Sequence, residues 1–257
     1  MKLDVLADLD HLLMINFSVP AEQLAPLVPA PMRPLVRNGR SFPSIVLPRI
    51  QNLRPLKLGF PRVDYELFGL RLLVEYKSQQ LGPTKGIYFR RLIMDPNRHR
   101  LVANVLTPFN FERGHIDKKQ QANGSIDVNA TFASGEIAIQ IKAQPSDEYP
   151  NALPSGSSFA TAEEALAMYN DIAFGFLPGS RERVHILQIA DPHPNYVAWP
   201  LRHLKVCEDS LKVHSCLAEM DLIVEPCYFV GQLPRYWRWL SSEALIPALS
   251  SLPATSA

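Results

Sequence analysis

"RVDYELFGLRLLVEYKS", residues 62–78, carries apolar side chains on both faces when it is drawn as an extended strand. One face presents Asp64, Glu66, Phe68, Leu70, Leu72 and Val74, the other Val63, Tyr65, Leu67, Arg71, Leu73 and Glu75. Side chains alternate across a strand, so a half-solvated strand alternates apolar with polar and a strand covered on both sides does not. The stretch therefore reads as a wall of a barrel or sandwich, with its few charges at a rim or turned into an interior pocket.

The flanking sequence supplies matching walls. "SIDVNATF" and "GEIAIQIKA" alternate at Ile126, Val128, Ala130, Phe132 and at Ile137, Ile139, Ile141, and "ASG" joins them as an antiparallel hairpin. "HLLMINFS" (11–18), "RERVHILQIA" (181–190) and "YVAWPLRHLKVCE" (196–208) are further strands. "KGIYFRRLIMD" (85–95) and "RLVANVLT" (100–107), separated by "DPNRH", are read as a hairpin. "SFPSIVLPRI" (41–50) contains Pro43 and Pro48, which predicts an edge strand or a bulge. Helices are few and short: "AEQLAPL" between prolines, and "TAEEALAMYNDIAFGF", where Thr161 and Glu164 make a capping box. "PRYWRWLSSEALIPALSSL" is read as a short helix whose Trp237 and Trp239 cap an open end of the core.

With 23 prolines spread through 257 residues, long helices are excluded. The fold class predicted is a β-dominated α+β domain, residues 1–257, with a core over about 11–230 and a C-terminal tail, 231–257, packing on it. Hydrophobic residues make up 47% of the chain and the net charge is +1, so no long-range field favours nucleic acid or an anionic membrane. No run approaches a membrane-spanning length, and the acids Asp4, Asp8 and Asp10 interrupt any N-terminal signal, which predicts a cytoplasmic protein.

Motif searches are mostly negative: no GxGxxG, Walker loop, HExxH or GxSxG occurs. Cys207, Cys216 and Cys227 have no metal or CxxC spacing and are read as structural thiols. The seven histidines include no pair at metal-clamp spacing; His185, Asp191 and His193 flank one loop, which its "DPHP" turn explains without a metal. Neither a metal nor a cofactor is expected. Arg49, Arg54, Arg71 and Arg90 sit in or beside strands, where an arginine reaches the rim, binds an anion or pairs with a buried carboxylate. Arg71 and Glu75 share a face, which favours a structural ion pair, and Tyr88 and Arg90 are weighed in the same way.

Lys118 and Lys119 raise a separate question, because one ammonium depresses its neighbour's pKa and a neutral amine forms a Schiff base with a carbonyl. Their setting, "RGHIDKKQQANGS", reads instead as a solvated loop, and Asp117 favours the charged form.

In sequence order, "VPAEQLAPLVP", "NLRPLKLGFP", "FGLRLLVEY", "GIYFRRLIMD", "ANVLTPFNFERGHID", "AEEALAMYNDI" and "HPNYVAWPLRHLKV" resemble the segments of the YqjF-like bacterial proteins of unknown function. That family is grouped with the acetoacetate-decarboxylase-like superfamily, which implies a curved, barrel-like antiparallel sheet around a cavity. Decarboxylases of the superfamily keep a Schiff-base lysine in a "GFPKK" corner; the similar corner here is "TPFNF", which puts Asn110 and Phe111 at the lysine positions. Two further departures from the family pattern are Asn104, where an arginine is usual, and Gly69, where an asparagine is usual.

The resemblance and the charged strand positions together predict a small-molecule-binding protein without a Schiff base at that corner, its ligand an organic acid or carbonyl compound. The predicted ligand residues are Arg49, Arg54, Glu66, Arg71, Tyr88, Arg90 and Asn110. Two alternatives stay open: a Schiff-base decarboxylase or aldolase-dehydratase using Lys118 or Lys119, and an interaction protein without a cavity. Oligomeric state is left open, including a homo-oligomer.

Overall fold

The structure, a computed structural model, describes residues 4–57, 60, 62–146, 153–179, 183–190, 198–206, 217, 219–231 and 233–244. Asp191, His193, Cys207 and Cys216 lie outside the described residues. The chain is mostly strand. In order it forms β1 (Val5–Pro20), α1 (Ala21–Leu24) with a 3-10 turn (Ala25–Leu27), β2 (Arg33–Pro34), β3 (Val36–Arg37), β4 (Arg40–Ser41), β5 (Pro43–Pro55), β6 (Val63–Ser78) and β7 (Gly82–Asp95). Then come α2 (Asn97–Leu106), β8 (Glu112–Gln120), β9 (Ile126–Phe132), β10 (Ile137–Pro145), α3 (Ala162–Asn170) and β11 (Phe174–Pro178). The last strands are β12 (Arg183–Ala190), β13 (Ala198–Val206), β14 (Ile223–Val224), β15 (Tyr228–Val230) and β16 (Leu233–Ala244).

Strand pairing runs β7–β11–β12–β16–β1–β5–β6 and returns through the long β6–β7 ladder, so the curved sheet meets itself. Most of these pairs are antiparallel; β7–β11 and β7–β8 are parallel, which makes the sheet mixed. A second, antiparallel layer, β8–β9–β10–β13, lies against the convex side of β1, β5, β6 and β7. Between the layers Leu13, Ile15, Ile45, Leu47, Phe68, Leu70 and Ile93 pack on Ile116, Val128, Ala130, Phe132, Ile139 and Ile141. On the concave side Leu9, Leu12, Val46, Ile50, Tyr65, Leu67, Leu92 and Met94 form the other large cluster. Both faces of β6 are thus covered, which explains its unbroken apolar character.

Four sequence expectations are corrected. Residues 97–106 form helix α2 rather than the second strand of a hairpin. Its residues span both periods, and the docking of the segment against β7 and β8 decides for helix. The "PRYWRWL" segment is strand β16, inserted between β12 and β1, where cross-strand pairing overrides its helix-compatible composition. β5 is interior to the sheet and not an edge strand, although the bulge half of the expectation holds: its ladders carry register shifts between Ile50 and Leu53 against β6 and opposite Leu9–His11 of β1, and the β6 ladder skips from Val46↔Gly69 to Arg49↔Glu66 across Pro48, which has no N–H to give. Lys118 and Lys119 lie on strand β8 and not in a loop, because β8 pairs with β9 from Gly114↔Phe132 to Gln120↔Ile126. The capping box forms as expected: Thr161 accepts the Glu164 N–H at 3.1 Å, and the Glu164 carboxylate accepts the Ala160 N–H at 2.7 Å.

Gly114 shows how closely the layers join. A Cβ there would stand 2.4 Å from the Thr131 carbonyl oxygen and 2.6 Å from Ile93 Cγ2, so backbone or core would have to move. Gly114→Ala is expected to lower stability by roughly 1–3 kcal/mol, the usual cost of overpacking, in equilibrium urea unfolding. Gly135→Ala, at a φ of +85° in the β9–β10 turn with open space around it, is expected to lose only about 1 kcal/mol from backbone strain.

Candidate functional site

The concave side of the sheet encloses a cavity of about 330 Å³. β1 contributes Val5, Leu9 and Leu12, β5 Val46, Pro48 and Ile50, β6 Tyr65 and Leu67, and β7 Phe89, Leu92 and Met94, while Ile189 of β12 and Trp237 of β16 face them. The wall is therefore aliphatic and aromatic almost throughout. Its polar groups are few: Arg54, His99, Thr107, Arg235 and the Tyr65 phenol. Burial pushes the Tyr65 phenol well above its ordinary pKa, so it stays protonated at neutral pH. Gly69 sits behind this wall, where a Cβ would come within 3.0 Å of Val46 and 3.1 Å of Leu92; the missing side chain lets these two pack against the strand.

One end is closed by α2 and the corner after it. Asn104 clamps that corner in both directions, donating to the Phe111 carbonyl at 2.9 Å and accepting the Phe111 N–H at 2.7 Å. Thr107 donates to the Ala103 carbonyl at 2.8 Å, which ends the helix. Asn110 is exposed and takes a φ of +52°, a conformation asparagine tolerates better than most residues. The turn directs Phe109 and Phe111 into the cavity, with rings stacked at 5.2 Å and Trp239 against Phe109 at 5.6 Å.

A smaller chamber of about 40 Å³ adjoins the first and shares Leu12, Ile189 and Arg235 with it. Tyr169 and Asn170 of α3 line this end. The Tyr169 hydroxyl is buried with no hydrogen-bond partner among the described residues. Arg71 is buried nearby, with Nε donating to Ser44 Oγ at 2.6 Å and a terminal nitrogen 3.1 Å from Met14 Sδ.

A charge cluster lies on the opposite face of the sheet, between β8 and the β1–β5–β6 wall. Lys118 Nζ is 2.6 Å from His11 Nε2, 3.3 Å from Glu66 Oε2 and 3.3 Å from the Leu47 carbonyl. His11 Nδ1 is 3.1 Å from Asp10 Oδ2, so a neutral imidazole protonated on Nδ1 accepts from the ammonium through Nε2. Burial, and after it the Lys118 charge, holds His11 down to about 4. Burial also lowers the Lys118 amine, against the opposing pull of Glu66. Arg49 Nε, 3.7 Å from Glu66 and 3.9 Å from Asp10, completes the network.

The residues singled out from the sequence therefore fall in different places. Arg54 lines the cavity, and Arg71 is buried against Ser44 and Met14, outside the lining of either chamber. Arg49 and Glu66 belong to the Lys118 cluster, Tyr88 is buried in a third core cluster with Val74 and Phe176, and Arg90 and Asn110 are exposed. Lys119 is exposed and pairs with Asp117 at 2.9 Å. Glu75 is exposed while Arg71 is buried. The cavity residues that the sequence reading missed are His99, Thr107, Phe109, Arg235 and Tyr65. The available signal was the period-two spacing of Arg235, Trp237 and Trp239, which marks one strand face. Among the described residues no cluster of three or more histidine, cysteine or acidic side chains has metal-binding geometry. Cys227 is a buried free thiol, raised to about 12 by burial.

Acetoacetate decarboxylase from Legionella pneumophila superposes with a TM-score of 0.61 at 13% identity, over 94% of this chain and 88% of that one. The enduracididine biosynthesis enzyme MppR, complexed with pyruvate, gives 0.58 at 11% identity over 96% and 91%. An acetoacetate decarboxylase-like enzyme from Sphingomonas wittichii gives 0.51 at 10% identity over 93% of each chain. These likenesses show an acetoacetate-decarboxylase-like fold. No curated protein sequence matches the chain. The uncharacterized conserved protein family DUF2071 (COG2071) matches residues 7–213, in agreement with the YqjF-like resemblance, and the chain belongs to that family.

Proposed function

We propose that this chain binds a small, largely apolar molecule bearing one carboxylate or carbonyl group in the interior cavity, without forming a Schiff base there. The observation that carries the reading is the cavity wall: an aliphatic and aromatic surface interrupted by two arginines, Arg54 and Arg235. Specific sites for organic molecules combine a mainly apolar lining with a few placed polar groups, in volumes of about 300–1,000 Å³. A guanidinium on such a wall favours a carboxylate, which it can grip through two parallel hydrogen bonds, or a polarised carbonyl oxygen. Arg235 is the preferred anchor because it borders both chambers, and Arg54 is the second. A solved neighbour described as complexed with pyruvate supports an oxo acid as one ligand class.

No lysine lines the cavity among the described residues, and the corner that resembles the decarboxylase "GFPKK" turns two phenyl rings inward instead. The competing reading, Schiff-base chemistry on Lys118, draws support from the lowered amine pKa and the adjacent imidazole. Against it, the amine faces away from the cavity, and its three hydrogens match three acceptors, the arrangement of a structural ammonium.

Two expected outcomes follow from this reading. Titration of the protein with medium-chain and aryl carboxylic and oxo acids, followed through the fluorescence of the cavity-lining Trp237, gives saturable binding. Arg235→Gln weakens it about tenfold or more, the loss of a charge-assisted contact worth roughly 1.5–3 kcal/mol. Ala103→Phe, which fills the cavity from α2, abolishes it while the circular dichroism spectrum stays unchanged. Absence of saturable binding across the panel, or binding indifferent to both variants, would overturn the assignment. Separately, borohydride reduction in the presence of pyruvate leaves the mass of the peptide holding Lys118 and Lys119 unchanged; a pyruvate-derived adduct on Lys118 would transfer the function to the enzyme reading.

A further inference from the structure

We propose that the rim formed by α2 and by Leu56, Lys57, Phe60 and Arg62 between β5 and β6 is a docking surface for an anionic lipid membrane. Helix α2 exposes an apolar face where a surface helix ordinarily exposes a polar one: Val105 is 84% and Leu101 61% accessible. Between β5 and β6, Phe60 is 75% and Leu56 47% accessible. The two elements are joined, since His99 Nδ1 of α2 lies 3.0 Å from the Asp64 carbonyl at the start of β6. Both carry exposed apolar side chains where the same elements border the cavity, to which Arg54, Pro55, His99 and Ala103 contribute wall. Patches of this kind on a water-soluble surface mark contact sites.

Charge selects the partner. Residues 54–62, "RPLKLGFPR", carry three cations and no acid, and α2, "NRHRLVANVL", carries two arginines and no acid. Lys57, Arg62 and Arg98 are exposed, and no ion pair engages them or Arg100 among the described residues. Three carboxylates stand nearby and keep their charge: Asp64 accepts the Asn52 N–H at 2.7 Å, Asp8 accepts from the Asn52 side chain at 3.1 Å and lies 4.0 Å from Arg54, and Asp4 accepts from Tyr236 and Trp239, so the cations that carry the argument are Lys57, Arg62, Arg98 and Arg100. The chain's net charge of +1 averages this concentration away, which is why composition gave no hint of a membrane. Exposed aliphatic and aromatic side chains ringed by unpaired cations suit the headgroup boundary of an anionic bilayer, where the cations meet lipid phosphates and the apolar groups enter the acyl edge. A protein partner would need its own acidic and apolar surface; the bilayer presents both at once. The surface goes beyond the ligand-binding reading and needs no occupant in the cavity.

The test is co-sedimentation of the full chain with vesicles of phosphatidylcholine alone and of phosphatidylcholine mixed with phosphatidylglycerol. The expected result is pelleting with the anionic vesicles and not with the neutral ones, weakened by salt. The double variants Phe60→Asp/Val105→Asp and Lys57→Glu/Arg98→Glu each reduce partitioning about tenfold or more with unchanged circular dichroism, and neither alters a cavity-lining residue. Failure to pellet with anionic vesicles, or variants that pellet like the parent, would overturn the proposal. A solution dimer lost in Phe60→Asp/Val105→Asp, with no vesicle binding, would likewise overturn it and assign the face to a second copy. Because the cavity titration is read without vesicles, failure here leaves the ligand-binding result standing.

Discussion

Burial of strand β6 on both faces is the constraint from which the architecture follows. Its outer side chains, Phe68 and Leu70, require a second layer, which β8, β9 and β10 supply with Ile116, Val128, Phe132 and Ile139. Its inner side chains, Tyr65 and Leu67, require a concave apolar space, which the curvature of the sheet through β1, β5 and β7 provides. A strand half as apolar could stand at an edge or face water. This one can stand only between two packed surfaces, and the cavity is the part of the inner surface that side chains leave unfilled.

The closing corner is shaped by one asparagine clamp and one backbone turn. The Asn104 clamp fixes the backbone of Phe111 from both its N–H and its carbonyl, and the positive φ of Asn110 turns the chain between the two phenylalanines. What is presented inward is set by residue identity at two positions, and here it is stacked phenyl rings. The polar groups on the neighbouring walls are Arg54, His99, Thr107, Arg235 and the Tyr65 phenol.

How much of this was legible depended on the range of the determining interaction. The β9–β10 hairpin and the Thr161 cap rest on contacts within a few residues, and the covering of β6 on both faces is written in its own unbroken apolar pattern, so all three were readable. Residues 97–106 and 233–244 were misread because their short apolar patterns fit both periods, and the decision belonged to distant partners: β7 and β8 for the helix, β1 and β12 for the strand. The candidate site suffered more. The arginines on apolar strands stand out in the sequence, yet the surroundings each meets depend on irregularities such as the β6–β7 register shift that skips Arg90, which no local pattern encodes.

The lysine pair makes the same point through parity. On β8, Gly114, Ile116 and Lys118 share the face turned to the sheet, while Asp117 and Lys119 take alternate positions, so adjacent lysines meet opposite surroundings. Lys119 remains exposed beside Asp117, and Lys118 is carried into the seam between the layers. An ammonium in that seam would be costly alone, and the chain meets the cost with one acceptor for each of its hydrogens: His11, Glu66 and the Leu47 carbonyl. The depressed imidazole is the counterpart of this bond, since a protonated His11 could no longer accept from Lys118. Glu66 carries the link from Lys118 to the inner layer, and Arg49, half exposed, lies 3.7 Å from Glu66 within that layer.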